Sequence, residues 1–298
     1  MNVPNTYQIE FFDSEQLQEC VVDSKVAHKQ VDKGRFEGIL NRLIFPDIVI
    51  DRGKYNLRLQ AEGVFPEQTV TLVVVHKSDN IGKAWGEEYK GGDLLIMQPG
   101  EEVALTIPGG SLWTSISIPE RLIGEYNLHV FNNEIFSIQA KEFKEFNTRF
   151  NYHVSLFNTG IISHTLLQDI IISLFIQAIE QANNRIELTY KDTSLMALNI
   201  RDEILENIDE GLQMKNLCKL TGMSISTIER SFKQFFGMSP RDYHAYHRLH
   251  LIRQTLLHNK STSVSNAAIK YGYMHLGRFS QQYKKVFGEL PSQTLHGR

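Results

Sequence analysis

Arg230-Ser231-Phe232-Lys233, followed by Phe236-Gly237-Met238-Ser239-Pro240, decides the fold of the C-terminal part, because the chain writes this pattern twice. Ahead of the first copy stands Cys218-Lys219-Leu220-Thr221-Gly222-Met223-Ser224. The second copy opens with Ala267-Ala268-Ile269-Lys270-Tyr271-Gly272-Tyr273, continues through Phe279-Ser280-Gln281-Gln282-Tyr283-Lys284 and closes with Phe287-Gly288-Glu289-Leu290-Pro291. In each copy an aromatic-Lys pair precedes Phe-Gly by one helical turn, and a Pro closes the pattern. The two Phe-Gly pairs lie 51 positions apart, which predicts two equivalent helix-turn-helix units.

Local chemistry builds each unit. A short helix with Leu217 and Leu220 on its buried face is expected to end at Gly222, and Ser224 stands at the N-cap of a second helix that buries Ile228, Phe232 and Phe235. The outer side of that second helix shows Ser226, Thr227, Glu229, Arg230 and Lys233. In the other unit Ser263 caps a helix with Val264, Ala268 and Ile269, and the next helix buries Phe279, Tyr283 and Val286. There the outward positions are His275, Leu276, Gly277, Arg278, Gln281 and Gln282, with Lys284 and Lys285 beside them. These outward residues are the candidate DNA contacts: Arg230 can give guanine two parallel hydrogen bonds, and the flanking cations can reach phosphates. A connector from about Pro240 to His258, with Pro at its first helical position and Tyr246, Leu249, Ile252 and Leu256 on one side, is expected to hold the units at a fixed separation.

This segment resembles the DNA-binding domain of the AraC/XylS family of bacterial transcription regulators. The matching elements are Gly222 to Ser224, Arg230 to Lys233, Phe236 to Pro240, Arg248 and Leu256-Leu257 of the connector, and the Tyr271-Gly272-Tyr273 and Phe287-to-Pro291 runs. Met274-His275-Leu276-Gly277-Arg278-Phe279 departs from the polar stretch of many members, so the second unit is expected to lean on shape and phosphates. The resemblance implies a cupin-like jelly roll in the N-terminal half, used for sensing and dimerisation. It also implies double-stranded promoter or operator DNA as partner, with RNA polymerase as a further candidate.

Charge follows the same division. Residues 1–199 carry 17 Lys and Arg against 26 Asp and Glu, and residues 200–298 carry 14 against 8, so a basic module follows an acidic one. Cys20 and Cys218 stand far apart without metal spacing, and the longest apolar run, Ile170 to Ile179, is broken by Ser173 and Gln177. A cytoplasmic chain without a membrane span or structural disulfide is expected.

Up to about residue 155 the chain reads as β. Alternation at Tyr55 to Leu59 is joined by β-rich runs at 69–75, 94–97, 103–107 and 113–118, with turn signals at Gly91-Gly92, Pro99-Gly100 and Pro108-Gly109-Gly110. The expected fold class is thus α+β: an N-terminal β-sandwich or cupin-like barrel, a helical linker, and a C-terminal all-α domain with two helix-turn-helix motifs. The domains are expected at 1–155 for effector sensing, 156–194 for an amphipathic helix and linker, and 195–298 for DNA binding. In the helix from Ile161 to about Asn183, Ile162, Leu166, Ile170, Leu174 and Ala178 recur at four-residue steps, widened by Leu167 and Ile171. That stripe either packs on the β domain or pairs two subunits into a homodimer. The polar stretch from Asn183 to Ser194 is the candidate linker.

Catalysis is not expected. His28, His76, His129, His153 and His164 are isolated, no His-x-His or phosphate loop appears, and no metal or cofactor is expected. Two functions remain open: a regulator that answers an unidentified small-molecule effector, and one without a small ligand whose N-terminal domain serves dimerisation or a protein partner. For the first, Tyr55, Trp85 and Trp113 are candidate barrel-lining aromatics, with Arg58 or His76 anchoring a polar group.

Overall fold

The turn signals of the N-terminal half separate short strands that pair into two antiparallel sheets. The computed structural model describes residues 6–17, 25–126, 132–182, 184–187, 192–259 and 261–297. One sheet has eight strands in the order β1-β3-β4-β11-β6-β9-β12-β13. These are β1 (Thr6–Phe11), β3 (Gly38–Ile44), β4 (Val49–Tyr55), β11 (Leu112–Pro119), β6 (Thr69–Lys77), β9 (Asp93–Met97), β12 (Glu134–Ser137) and β13 (Asn184–Glu187). The other has five in the order β2-β5-β10-β7-β8: β2 (Ala27–Gln30), β5 (Leu59–Val64), β10 (Glu102–Ile107), β7 (Gly82–Ala84) and β8 (Glu87–Tyr89). A helical domain follows, so the α+β expectation holds. The alternation at Tyr55 to Leu59 is not a strand: β4 ends at Tyr55, β5 begins at Leu59, and Asn56 turns the chain by accepting from Glu37 N and donating to Arg35 O.

Alternation along the strands divides the large sheet into two faces. Ile50, Leu72, Val74, Leu94, Ile96, Ile116 and Ile118 point outward and meet two helices, α2 (Ala140–Asn158) and α3 (His164–Glu180); the single-turn α1 (Glu120–Ile123) follows β11. Residues 140–155 are therefore helix and not strand. Phe143, Phe146, Phe150, Val154 and Phe157 recur at helical spacing and pack on that face, and the side chains at 144 and 145 between them are exposed. From α3, Leu167, Ile171, Leu174 and Ala178 are buried on the same face, whereas Ile162 and Ile170 are partly buried and Leu166 is 47% exposed. Most of the stripe is thus spent within the chain. The stretch expected as linker contains β13, paired antiparallel to β12 from Glu134↔Glu187 to Ser137↔Asn184. Among the described residues no helix is long and apolar enough to cross a membrane.

The C-terminal helices are α4 (Asp192–Glu206), α5 (Met214–Thr221), α6 (Ile225–Phe236), α7 (Pro240–His258), α8 (Val264–Lys270), α9 (Leu276–Phe287) and α10 (Pro291–His296). Of these, α4 to α7 pack on the five-stranded sheet. Trp85, Val103 and Ala104 share one apolar core with Ala197, Ile200, Leu217, Ile228, Phe232, Phe235 and Tyr243.

Candidate nucleic-acid interface

The first reading unit forms as its local chemistry dictates. Gly222 closes α5 with φ +70°, a backbone conformation costly for any side chain, and its N–H donates to Cys218 O. Ser224 caps α6, accepting from Thr227 N at 3.3 Å. Ile228, Phe232, Phe235 and Phe236 are buried under α6, while Ser226, Arg230 and Lys233 are exposed and Thr227 and Glu229 half-buried. Gly237 and Gly288 repeat one left-handed cap, each N–H donating to the carbonyl of the matching lysine, Lys233 or Lys284.

In the second unit Ser263 caps α8, and Phe279, Tyr283 and Val286 are buried, as expected. All the remaining outward candidates, His275, Leu276, Gly277, Arg278, Gln281, Gln282, Lys284 and Lys285, are exposed. Two core expectations are corrected. Leu220 is 55% and Ile269 50% exposed, because Met214 with Leu217, and Ala267 with Ala268, fill the inner sides of the short helices.

The connector α7 runs from Pro240 to His258, capped by Ser239, and at 19 residues spans about 28 Å. It binds the units together. Tyr243 enters the first core, and Leu249, Ile252 and Leu256 enter the second. Arg248 lies 4.3 Å over the Tyr273 ring, and a Cβ at Gly272 (φ +75°) would meet Arg248 Nη2 at 2.7 Å, so the second turn is fitted to the connector.

The opposite side of α7 faces the N-terminal domain through buried polar groups. The Tyr243 hydroxyl donates to Glu62 Oε1 and Oε2 at 2.8 and 2.9 Å, with Lys29 Nζ 3.7 Å and His247 Nε2 3.4 Å from the same carboxylate. Burial opposes the Glu62 charge, but Lys29 and the Tyr243 hydroxyl favour it and hold its carboxyl below the usual carboxylate range. Burial, reinforced by Lys29, pulls His247 down to about 4, so the ring is neutral at neutral pH and its contact with Glu62 is too loose for a hydrogen bond. Farther along, His250 Nε2 lies 2.8 Å from Gln30 O, Arg253 pairs with Asp13 at 2.6 Å, and Gln30 Nε2 donates to Val286 O at 2.6 Å. The sequence reading missed this contact. Its one legible signal was the polar stripe Tyr243, His247, His250 and Arg253 at helical spacing.

Between the two sheets lies a cavity of about 410 Å³. Of the five candidates for its wall, Tyr55 and Trp113 line it and three do not. Arg58 sits in the β4–β5 turn, 3.2 Å from Asp32. His76 points to the outer face, with Nε2 2.7 Å from Thr114 Oγ1 and its ring against Phe143 and Phe146. Trp85 turns the chain between β7 and β8 with φ +50° and donates its indole N–H to Glu102 O, within the core shared with the helices. The strand period explains this: Thr69, Thr71, Val73 and Val75 of β6 face the cavity, which sends His76 outward.

One sheet separates the cavity from the reading unit. Ala61, Val103, Leu105 and Ile107 line the cavity, and the intervening Glu62 and Thr106 meet the helices. Tyr89, on the cavity wall, donates its hydroxyl to Thr106 O, and Thr106 Oγ1 lies 3.3 Å from Phe236 O at the end of α6.

A family model described as a helix-turn-helix domain matches residues 217–297. The XylDLEGF operon transcriptional activator 1 of Pseudomonas putida is 24% identical over 290 residues, covering 89% of this chain and 84% of the relative. A solved structure, a probable AraC family transcriptional regulator from Rhodopseudomonas palustris, is 30% identical and covers 34% of this chain and 95% of that one, with TM-score 0.32. The chain belongs to the AraC/XylS family. As an AraC/XylS member it is a DNA-binding transcription regulator, and the matched helix-turn-helix domain spans α6 and α9.

Proposed function

We propose that this chain is a cytoplasmic transcription activator that reads a promoter site with α6 and α9 and answers a small molecule held between its sheets. One observation carries the reading: the cavity wall and the seat of the first recognition helix are two faces of the same strands. A ligand that fits one arrangement of β5 and β10 better than another then shifts how the helices are held. We assign the N-terminal part to effector sensing, residues 195–298 to DNA, and RNA polymerase as the further partner. The relatives' description as transcriptional activators supports activation over repression.

Base reading is assigned to Ser226, Glu229 and Arg230 of α6 with Thr227 beside them, while His275, Leu276, Gly277, Gln281 and Gln282 of α9 follow the shape of the DNA. Lys233, Arg278, Lys284 and Lys285 are assigned to phosphates. Arg230→Ala is expected to cost about 1–3 kcal/mol on the preferred site and relax selection at one base. Unchanged preference in a binding-site selection experiment would remove Arg230 from base reading. Lys284→Ala is expected to lower the slope of log affinity against log salt by about 0.9 without changing sequence preference. Equal slopes in salt titrations would leave Lys284 in solvent.

The effector reading is tested by Ala61→Phe, which fills the cavity from the five-stranded wall. The variant is expected to bind promoter DNA and to stop answering whatever compounds shift the wild-type melting temperature; a variant that still answers them would contradict it. A second reading, that the N-terminal domain also joins two subunits, is favoured by Tyr152, Ile161 and Leu166, exposed on and beside α2 and α3 at 59%, 69% and 47%. Leu166→Asp is then expected to convert a sedimenting dimer to monomer, and a monomeric wild type would remove this reading.

A further inference from the structure

The polar groups on the cavity wall select the kind of molecule that enters, given the reading above that the cavity is an effector site. The charged wall residues are already matched. Arg42 holds Asp51 through Nε and Nη2 at 2.7 and 2.6 Å, and Asp47 is paired with Arg121. Burial keeps the His28 ring neutral, its pKa pulled down to about 4. An ionised guest would therefore stand without a counter-charge in a low-dielectric space, a heavy cost.

Two ring nitrogens of residues lining the cavity, one from each sheet, are buried and unpaired: Trp113 Nε1, which can only donate, and His28 Nδ1 on a residue 9% exposed. Leaving such groups unmatched is unfavourable, and a guest that supplies an acceptor removes the penalty at Trp113. Apolar surface surrounds them, from Val73, Val103, Leu105 and Ile107 to the rings of Tyr55 and Phe65. The volume of about 410 Å³ is well above the roughly 150 Å³ that accepts a single benzene ring.

We propose that the cavity takes an uncharged, largely apolar molecule of two fused rings or similar bulk, bearing a hydrogen-bond acceptor that meets Trp113 Nε1. Thr71, Ser115 and Ser117, whose hydroxyls also line the space, can serve either role and do not alter the selection.

Four probes with one ring system and different tips test this by calorimetric titration of the full chain at neutral pH: acetylnaphthalene, ethylnaphthalene, naphthoate and naphthylmethylamine. Acetylnaphthalene is expected to bind about tenfold more tightly than ethylnaphthalene. Naphthoate and naphthylmethylamine are expected to bind more than about a hundredfold more weakly than acetylnaphthalene. Trp113→Phe should abolish the acetyl advantage while leaving ethylnaphthalene unchanged, and the ranking on wild-type protein stands without any variant having to fold. Equal affinity for the acetyl and ethyl probes, or either ion binding as well as the ketone, would overturn the ligand class and leave the effector reading standing. Failure of all four to bind would overturn both.

Discussion

Replacing Arg253 by Ala is expected to lower the free energy of unfolding by about 3–5 kcal/mol, because it leaves carboxylates buried without their cation. Arg253 is 5% exposed and its guanidinium is fully engaged: Nε and Nη2 on Asp13 at 2.7 and 2.6 Å, Nη1 on Glu289 at 2.7 Å, and the plane 4.7 Å from the Phe287 ring. Burial works against its charge, but Asp13, Tyr283 and Glu289 favour it more strongly. Asp13 lies in the N-terminal domain and Glu289 just beyond α9, so the substitution loosens both the second reading unit and its docking. Urea titration should show a lower midpoint, and Arg253→Lys, which keeps charge but loses the fork, should recover part of it. A loss below about 1 kcal/mol, the range of exposed ion pairs, would mean that water reaches this network.

Acid is expected to unfold the protein well before its carboxylates are protonated. Burial pulls His28, His76 and His247 each down to about 4, with Arg52 adding to the effect at His76 and Lys29 at His247. A histidine that is neutral when folded and ordinary when unfolded makes the unfolded chain take up the proton as pH falls below about 6.5, so stability is lost from there down to about 4. Each such proton contributes about 1.4 kcal/mol per pH unit, giving a slope near 4 kcal/mol per unit for the three together. Below about 4.5 Glu62, whose pKa is lowered, adds its own loss in the same direction. Urea midpoints measured between neutral pH and pH 5 check this, and a flat profile would place these rings in contact with solvent. His247→Asn should flatten the profile by one proton.

Within the two helix-turn-helix units, apart from Leu220 and Ile269, sequence was enough because the forces are local. Ser224 reaches Thr227, Gly222 and Gly237 take left-handed caps, and Phe232 falls one turn from Phe236; each contact spans a few residues. The exposure of Arg230 and Arg278 follows from the same helical period. In the β half, runs such as 69–75 were legible because several strands in one face are continuously apolar, whereas β7 and β8 are three residues long and carry no period. The helix at 140–158 was legible in its phenylalanine spacing but was masked by the β character of what precedes it. What sequence alone determined was therefore the duplicated helix-turn-helix, its caps and the outward side of α6 and α9. Tertiary structure decided where it docks and which aromatics meet the cavity, through contacts such as Thr106 with Phe236 and Gln30 with Val286, 130 and 256 residues apart. No local rule relates such positions, since whether Trp85 or Trp113 faces the cavity depends on strand register and on which sheet lies opposite.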